Sequence, residues 1–286
     1  MGKSKKRLLL YLGIPVVLVI IGVFILQWWA RKELTNILDT KMPPNVHLNY
    51  EGLDLSIFSG KLKIKNIGLK IQNRDTASIR AQINVTAIAL EGVSYWQFLM
   101  HRKIALGNAI ITDPKMFYYP PNKSPNHHIN KDSIAPNRIN SFSLDHFEVR
   151  NGQFTLMHSG TDSIRLSALG IDFSMDNITT DKDVIKDKIP IKYSSYSVAA
   201  QNIFVDVGPL LGLNAARLDI DKQNLRIEDL ALRSKYSKEE LSKVIKTERD
   251  HLDLTIPEVT FNGIDFGFHG ERFLPPWRKV PSPMPI

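Results

Sequence analysis

Gly60-Lys61-Leu62-Lys63-Ile64-Lys65-Asn66-Ile67-Gly68-Leu69-Lys70-Ile71 is the stretch that decides the fold. Apolar and charged residues alternate with a period of two, which marks a half-buried β-strand with one wet face. The phase slips at Asn66 and Gly68, and earlier at Gly52, which predicts bulges or turns there. Upstream, Val46, Leu48 and Tyr50 alternate with polar residues, as do Leu53, Leu55 and Ile57. Downstream, Ile79, Ala81, Ile83 and Val85 repeat the pattern. Strand returns from Ile104 to Ile111 and ends at Asp113-Pro114. Ile203 to Val207, Leu213 to Ile220 and Leu225 to Leu232 read as further strands.

The clearest hairpin signal runs from Phe142 to His158, centred on Asn151-Gly152. A two-residue turn there pairs Arg150 with Gln153, Val149 with Phe154 and Phe147 with Leu156. Phe147, Val149, Phe154 and Leu156 then share one face, and Glu148 and Thr155 the other. A second Asn-Gly, at Asn262-Gly263, pairs Phe261 with Ile264 and Val259 with Phe266 in the same way. Residues 94 to 102 break the alternation and read as a short helix or tight connection. Residues 119 to 141 form a long loop rich in Pro, Asn, His and Lys, either mobile or a binding loop, with the mobile reading preferred. One soluble helix is predicted from Ser237 to Thr247: Ser237-Lys238-Glu239-Glu240 is a capping box, and Leu241, Val244 and Ile245 make its apolar stripe. Asparagine-centred strand starts near 66, 108, 151, 202 and 262 form a related pattern whose spacing drifts too far for a strict repeat.

Residues 8 to 30, Leu8-Leu9-Leu10 through Trp28-Trp29-Ala30, carry no charge. As a helix the run spans about 35 Å, enough for a ~30 Å hydrocarbon core. Lys3, Lys5, Lys6 and Arg7 precede it; Arg31, Lys32 and Glu33 follow. The charge bias keeps the N-terminus in the cytoplasm and exports the rest. Lys5, Lys6 and Arg7 then sit at one membrane interface, and Trp28 and Trp29 anchor the other. A cleaved signal peptide has a shorter apolar region and a small-x-small site, whereas here Ala30 is the lone small residue near the exit. The expected organisation is a basic cytoplasmic tail (1–7), a transmembrane helix (8–30), a juxtamembrane helix or linker (31–45), a β-rich exported domain (46–270) and a proline-rich tail (271–286). Pro275, Pro276, Pro281, Pro283 and Pro285 cannot continue a sheet. The expectation there is a fragment or frame-altered form of a longer protein, or a last sheet edge that pairs with a partner.

The chain has 286 residues and a formal charge of +8, of which four belong to the basic tail, leaving +4. No basic stripe remains, so nucleic acid is not an expected partner. The absence of cysteine removes disulfides, thiolate metal sites and cysteine nucleophiles, and favours a bacterial envelope over a eukaryotic secretory route. Asn84-Val85-Thr86 and Asn177-Ile178-Thr179 match glycosylation sequons, which carry no meaning in a bacterium. The eight histidines show no ligand spacing and no carboxylate cluster. There is no phosphate-cradling glycine loop and no GxSxG elbow. The sequence therefore offers no catalytic, cofactor or metal residues, and an enzyme is not expected. What remains is two-faced strand, whose apolar faces either fill a sandwich core or line an open trough for acyl chains.

Four groups of motifs resemble the AsmA-like family of bacterial envelope proteins, relatives of TamB and of the bridge-like lipid transfer proteins. They are the basic tail with its single span; Tyr50-Glu51-Gly52-Leu53-Asp54-Leu55-Ser56 followed by Gly60 to Ile67; Leu90-Glu91-Gly92-Val93-Ser94 leading to Ile104-Ala105-Leu106, Ile110 and Asp113-Pro114; and Phe142-Ser143-Leu144 through Val149-Arg150-Asn151-Gly152-Gln153-Phe154. The stretch from Leu230 to Phe266 looks like forms of the family in Bacteroidota. The similarity covers most of residues 1 to 270, in motifs built from alternation and turn residues. It implies a mainly β fold: an N-terminal transmembrane helix, then a long, curved, taco-like antiparallel β-sheet groove with one or two short helices. It implies an inner-membrane protein, single-pass with its bulk in the periplasm, that moves phospholipid towards the outer membrane or supports envelope integrity. The chain departs from the family in being short. Candidate groove-lining residues are Leu48, Tyr50, Leu62, Ile64, Phe147, Val149, Phe154 and Leu156. The implied partners are the inner membrane, phospholipid acyl chains and envelope proteins. The alternative is a non-transporting structural or assembly factor for outer-membrane biogenesis, with a filled β-sandwich core.

Overall fold

A computed structural model describes residues 32, 35, 43–73, 78–94, 97, 101, 103–121, 141–181, 191–221, 223–244, 250–263, 267–269 and 272–274. The chain is mainly β, as the alternation predicts. Its strands are β1 (Val46–Asn49), β2 (Gly52–Ser56), β3 (Lys61–Gln72), β4 (Ile79–Glu91), β5 (Lys103–Thr112), β6 (Lys115–Tyr118), β7 (Ser141–Met157), β8 (Ile164–Asp181), β9 (Ser195–Asp206), β10 (Leu211–Asp221), β11 (Asn224–Ser234) and β12 (Asp253–Phe261). All twelve belong to one sheet, in the order β1-β3-β4-β5-β7-β8-β9-β10-β11-β12. β2 lies in line with β1 against β3, and β6 lies in line with β5 between β4 and β7. Strands β13 (Gly267–His269) and β14 (Arg272–Leu274) form a separate ribbon.

The sheet is mixed, which corrects the wholly antiparallel expectation: β5 and β6 both run parallel to β7. Parallel neighbours need a crossover connection. The chain leaves β6 at Tyr118, which pairs with Leu156, and must re-enter at Ser141, which pairs with Lys103 at the far end of β7. Residues 119 to 140 cover that return, which explains their length; 122–140 lie outside the described residues.

The Asn151-Gly152 hairpin is also corrected. β7 is one strand of 17 residues that runs straight through the pair. Val149 pairs with Phe173 rather than Phe154, and Phe154 pairs with Ala168. A type I′ turn needs positive φ at both central residues, but here Asn151 alone is left-handed, with φ of 52°. One left-handed residue kinks a strand; it does not reverse it. The Asn262-Gly263 turn reaches residues 264–266, outside the described residues; there β12 pairs with β11.

Asn151 is one of a set. Asn66, Asp113, Gly170, Asn202 and Asp229 also have φ between 47° and 52°. They sit on β3, between β5 and β6, and on β8, β9 and β11, and the ladder lapses beside each one. Together they draw a seam across all ten strand positions, from the Tyr50-Glu51 break through Thr86 and Ala216 to Pro257. Asn and Asp take the left-handed region at less cost than other non-glycine residues. Their side chains also tie neighbours across the seam: Asn66 Nδ2 donates to Glu51 Oε2 at 2.5 Å and Asn151 Nδ2 to Asp113 Oδ1 at 2.7 Å. Pro257 is tolerated because β12 is an edge strand.

One short helix, α1 (Lys238–Val244), joins β11 to β12. Its predicted capping box is formed: Ser237 Oγ accepts from Glu240 N at 3.2 Å, and Glu240 Oε2 accepts from Ser237 N at 3.0 Å. Leu241 is buried, while Ile245 to Thr247 lie outside the described residues. Gln97 and His101 are helical, as are Lys32 and Thr35. No helix among the described residues is long and apolar enough to cross a membrane. Residues 8 to 30, with Trp28 and Trp29, and Lys5, Lys6 and Arg7 all lie outside the described residues.

Candidate functional site

Register converts the alternation into continuous rows. On one side of the seam the paired residues run Val46, Ile71, Ala81, Tyr118, Leu156, Leu166, Val205, Leu213, Leu232, Leu254. On the other side they run Leu53, Ile64, Ile88, Ile111, Val149, Phe173, Val198, Ile220, Leu225, Phe261. Each row crosses all ten strand positions without a polar residue. At ~4.8 Å between strands, each is about 43 Å long.

The rows also explain the phase slips. On β7 the apolar residues are odd-numbered before the seam (Phe147, Val149) and even-numbered after it (Phe154, Leu156). β3 makes the opposite change, from Leu62 and Ile64 to Ile67 and Leu69. The inserted seam residue breaks the strict in-out alternation, and the shifted sequence pattern restores the apolar side chains to one face.

The structure places seven of the eight candidate lining residues within this apolar system. Leu48 pairs with Leu69, Leu62 with Leu90, Phe147 with Met175 and Phe154 with Ala168; Ile64, Val149 and Leu156 belong to the rows themselves. Tyr50 stands apart, in the break between β1 and β2 on the seam. All eight are half-buried. The sequence reading did not single out Ile88, Ile111, Phe173, Val198 and Ile220, which connect Ile64 to the far edge. Phe147 and Phe173 meet edge to face, with centroids 5.8 Å apart.

No second layer covers these rows among the described residues. All twelve strands belong to one sheet, so the described strands supply no second sheet to face it. Among the described residues no large side chain is fully buried. Several of the buried apolar residues lie along two lines where the ladder lapses. Ile67, Val85, Ala200 and Ala215 flank the seam. Ala109, Leu144 and Ile178 flank a second line, where the ladder lapses at Gly107, Asp145 and left-handed Asn177. Leu90, Leu106, Phe142, Phe147 and Met175 pack against that second group from both sides, so the apolar face is continuous across it.

The opposite face is ionic. Glu148 takes two hydrogen bonds from Arg150, at 2.7 and 2.6 Å, and these hold its carboxyl below the ordinary range. Asp176 accepts from Ser195 Oγ at 2.6 Å and contacts His146 Nδ1 at 2.7 Å; both contacts lower its pKa. Ser195 bonds the carboxylate and not the imidazole, so the trio lacks the nucleophile-to-base contact that acyl transfer needs. Arg217 chelates Asp219, and Arg226 bridges Glu228 and Glu258. Among the described residues no three His, Asp or Glu side chains are placed to hold a metal ion.

No family model matches the chain, and no curated protein matches it. The candidate site is an apolar face left uncovered among the described residues, crossed by two lines where the ladder lapses and backed by an ionic face.

Proposed function

We propose that the apolar face is the concave wall of a groove that binds acyl chains, and that the chain is a membrane-anchored envelope protein contributing to phospholipid transfer towards the outer membrane or to envelope integrity. The observation that carries this reading is the pair of apolar rows, each crossing ten strand positions with no covering layer among the described residues. The burial of Ile67, Val85, Ala200 and Ala215 beside the seam supports concavity on that side, because side chains crowd on the inside of a bend. An exposed apolar surface of this extent needs an occupant, and an unbranched hydrocarbon chain suits a face whose hydrogen-bonding groups are the few phenols of residues such as Tyr118 and Tyr196. The anchor is the charge-free run from Leu8 to Ala30. The resemblance to AsmA-like proteins supplies the envelope setting.

The test is a photo-crosslinker at Val149, on the apolar face, and another at Glu148, on the ionic face, in full-length protein in cells. The groove requires phospholipid adducts at Val149 and none at Glu148. Equal labelling at both, or none at either, rejects it in favour of a structural or assembly role.

A further inference from the structure

Charge is segregated along the sheet. Strands β1 to β6 carry seven basic residues (Lys61, Lys63, Lys65, Lys70, Arg80, Lys103, Lys115) against two acidic ones, Asp54 and Glu91. Strands β7 to β12 reverse this, with twelve acidic residues against five arginines. Pairing differs as well. Arg150, Arg217, Arg226 and Arg233 are each held by carboxylates in the acidic half. In the basic half Lys61 pairs with Glu91 and Lys65 with Asp54. Lys63, Lys70, Lys103 and Lys115 make no ion pair among the described residues. Register puts these four on the ionic face: Lys63 stands beside Ala89, Lys70 beside His47, Lys103 beside Ser141 and Lys115 beside Gln153.

The basic half is also the tethered half. β1 opens at Val46, fifteen residues beyond Arg31, so the chain from the anchor enters the sheet through this edge. At ~4.8 Å per strand the four lysines lie within about 15 Å of that edge, and the acidic strands begin at about 20 Å. At about 0.15 M salt a charged surface acts over a Debye length of about 8 Å, which reaches Lys63 and Lys70 on β3 and fades before the acidic strands; at about 0.01 M the length is about 30 Å, and the surface attracts all four lysines and repels the nearest acidic strands.

We infer that Lys63, Lys70, Lys103 and Lys115 bind anionic lipid headgroups of the membrane that holds the anchor, and that the acidic β7–β12 half is repelled, so the sheet stands away from the surface with its β1/β2 edge down. This rests on the anchored reading above. It adds a lipid class, the anionic phospholipids, and a fixed orientation.

The experiment uses the full chain in vesicles of phosphatidylcholine alone or with phosphatidylglycerol. The protein has no cysteine, so Thr255→Cys on β12 gives a single labelling site. Energy transfer from that label to a headgroup acceptor reports the height of the far edge. Transfer must drop when phosphatidylglycerol is present, and the drop must vanish at about 1 M salt, where the Debye length is about 3 Å. Lys63→Gln, Lys70→Gln, Lys103→Gln and Lys115→Gln together must abolish it, while Lys238→Gln with Lys243→Gln on α1 leaves it intact. Equal transfer in both vesicles at low salt overturns the inference. Flotation separates it from the anchor: binding only to vesicles with phosphatidylglycerol, reversed by salt and by the four Gln substitutions, sinks the anchor and keeps the lysine contact. Binding to neither sinks both.

Discussion

Replacing Asn151 by valine tests the seam directly. Asn151 holds φ at 52°, and its Nδ2 donates to Asp113 at 2.7 Å. Forcing an ordinary L-residue into the left-handed region costs about 1–2 kcal/mol. Losing the side-chain hydrogen bond costs about 0.5–1.5 kcal/mol, at the low end because Asn151 is exposed. The backbone N–H, which donates to Asp172 at 2.8 Å, survives both changes. The sum is about 1.5–2.5 kcal/mol for Asn151→Val. Asn151→Gly loses the same hydrogen bond but keeps the left-handed backbone free, so it costs about 0.5 kcal/mol. The difference between the two variants is then the backbone term alone. Urea unfolding followed by far-ultraviolet circular dichroism reads it. With a slope of about 2–3 kcal/mol per molar, valine lowers the midpoint by about 1 M and glycine by less than half of that. Gln153→Val, two residues on in regular strand, stays within about 0.5 kcal/mol of the parent. If Asn151→Val and Asn151→Gly unfold at the same urea concentration, the left-handed seam contributes nothing and the reasoning fails.

Three further outcomes follow from particular contacts. Phe173→Asp places a charge in the middle of an apolar row, so co-purifying lipid measured by mass spectrometry falls, whereas Ser174→Asp, on the ionic face, leaves it unchanged. Glu148 has a lowered pKa because Arg150 bonds its charged form, so its contribution is complete above the ordinary value of 4.5 and is lost as pH falls through the lower folded value; Glu148→Gln is therefore less stable than the parent at pH 7, and a urea midpoint series shows the gap closing in acid. Ser237→Ala removes the capping acceptor and costs about 1 kcal/mol of helix stability, seen as faster amide exchange at Glu240 and Leu241 with β7 and β8 unaffected.

The alternation within each strand was legible because it is local: Leu62-Lys63-Ile64-Lys65 states its wet and dry sides without reference to any neighbour. The capping box at Ser237 was legible for the same reason, since both of its hydrogen bonds close within four residues. The strand β8 was not. Its two halves, Arg165-Leu166-Ser167-Ala168 and Asp172-Phe173-Ser174-Met175, are out of phase across Leu169-Gly170-Ile171, and a period-two reading breaks there. Most of the apolar row through Val149 was missed with it, because Phe173 is the link between Val149 and Val198.

The misread hairpin shows why the rest was hidden. Asn-Gly between two apolar alternations serves equally well as a two-residue reversal or as one left-handed residue in a continuing strand. Both shift the apolar phase by an odd number of residues, and both put Phe147, Val149, Phe154 and Leu156 on a common face. The residues that decide between them lie elsewhere. Asp172 and Asp113 receive the hydrogen bonds of Asn151 from the flanking positions, 21 residues after it and 38 before it. A lone hairpin offers no such partners, whereas a seam that crosses every strand offers them at each step. A single slip therefore predicts a turn, but slips at Asn66, Asn151 and Asn202, each between out-of-phase alternations, specify one crease with its apolar side kept whole. Asn108 and Asn262 lie off that crease, while the other three of the five loosely periodic asparagines, Asn66, Asn151 and Asn202, were its trace in the sequence. Their spacing drifts because strand and loop lengths vary, while the seam fixes only where each strand crosses it.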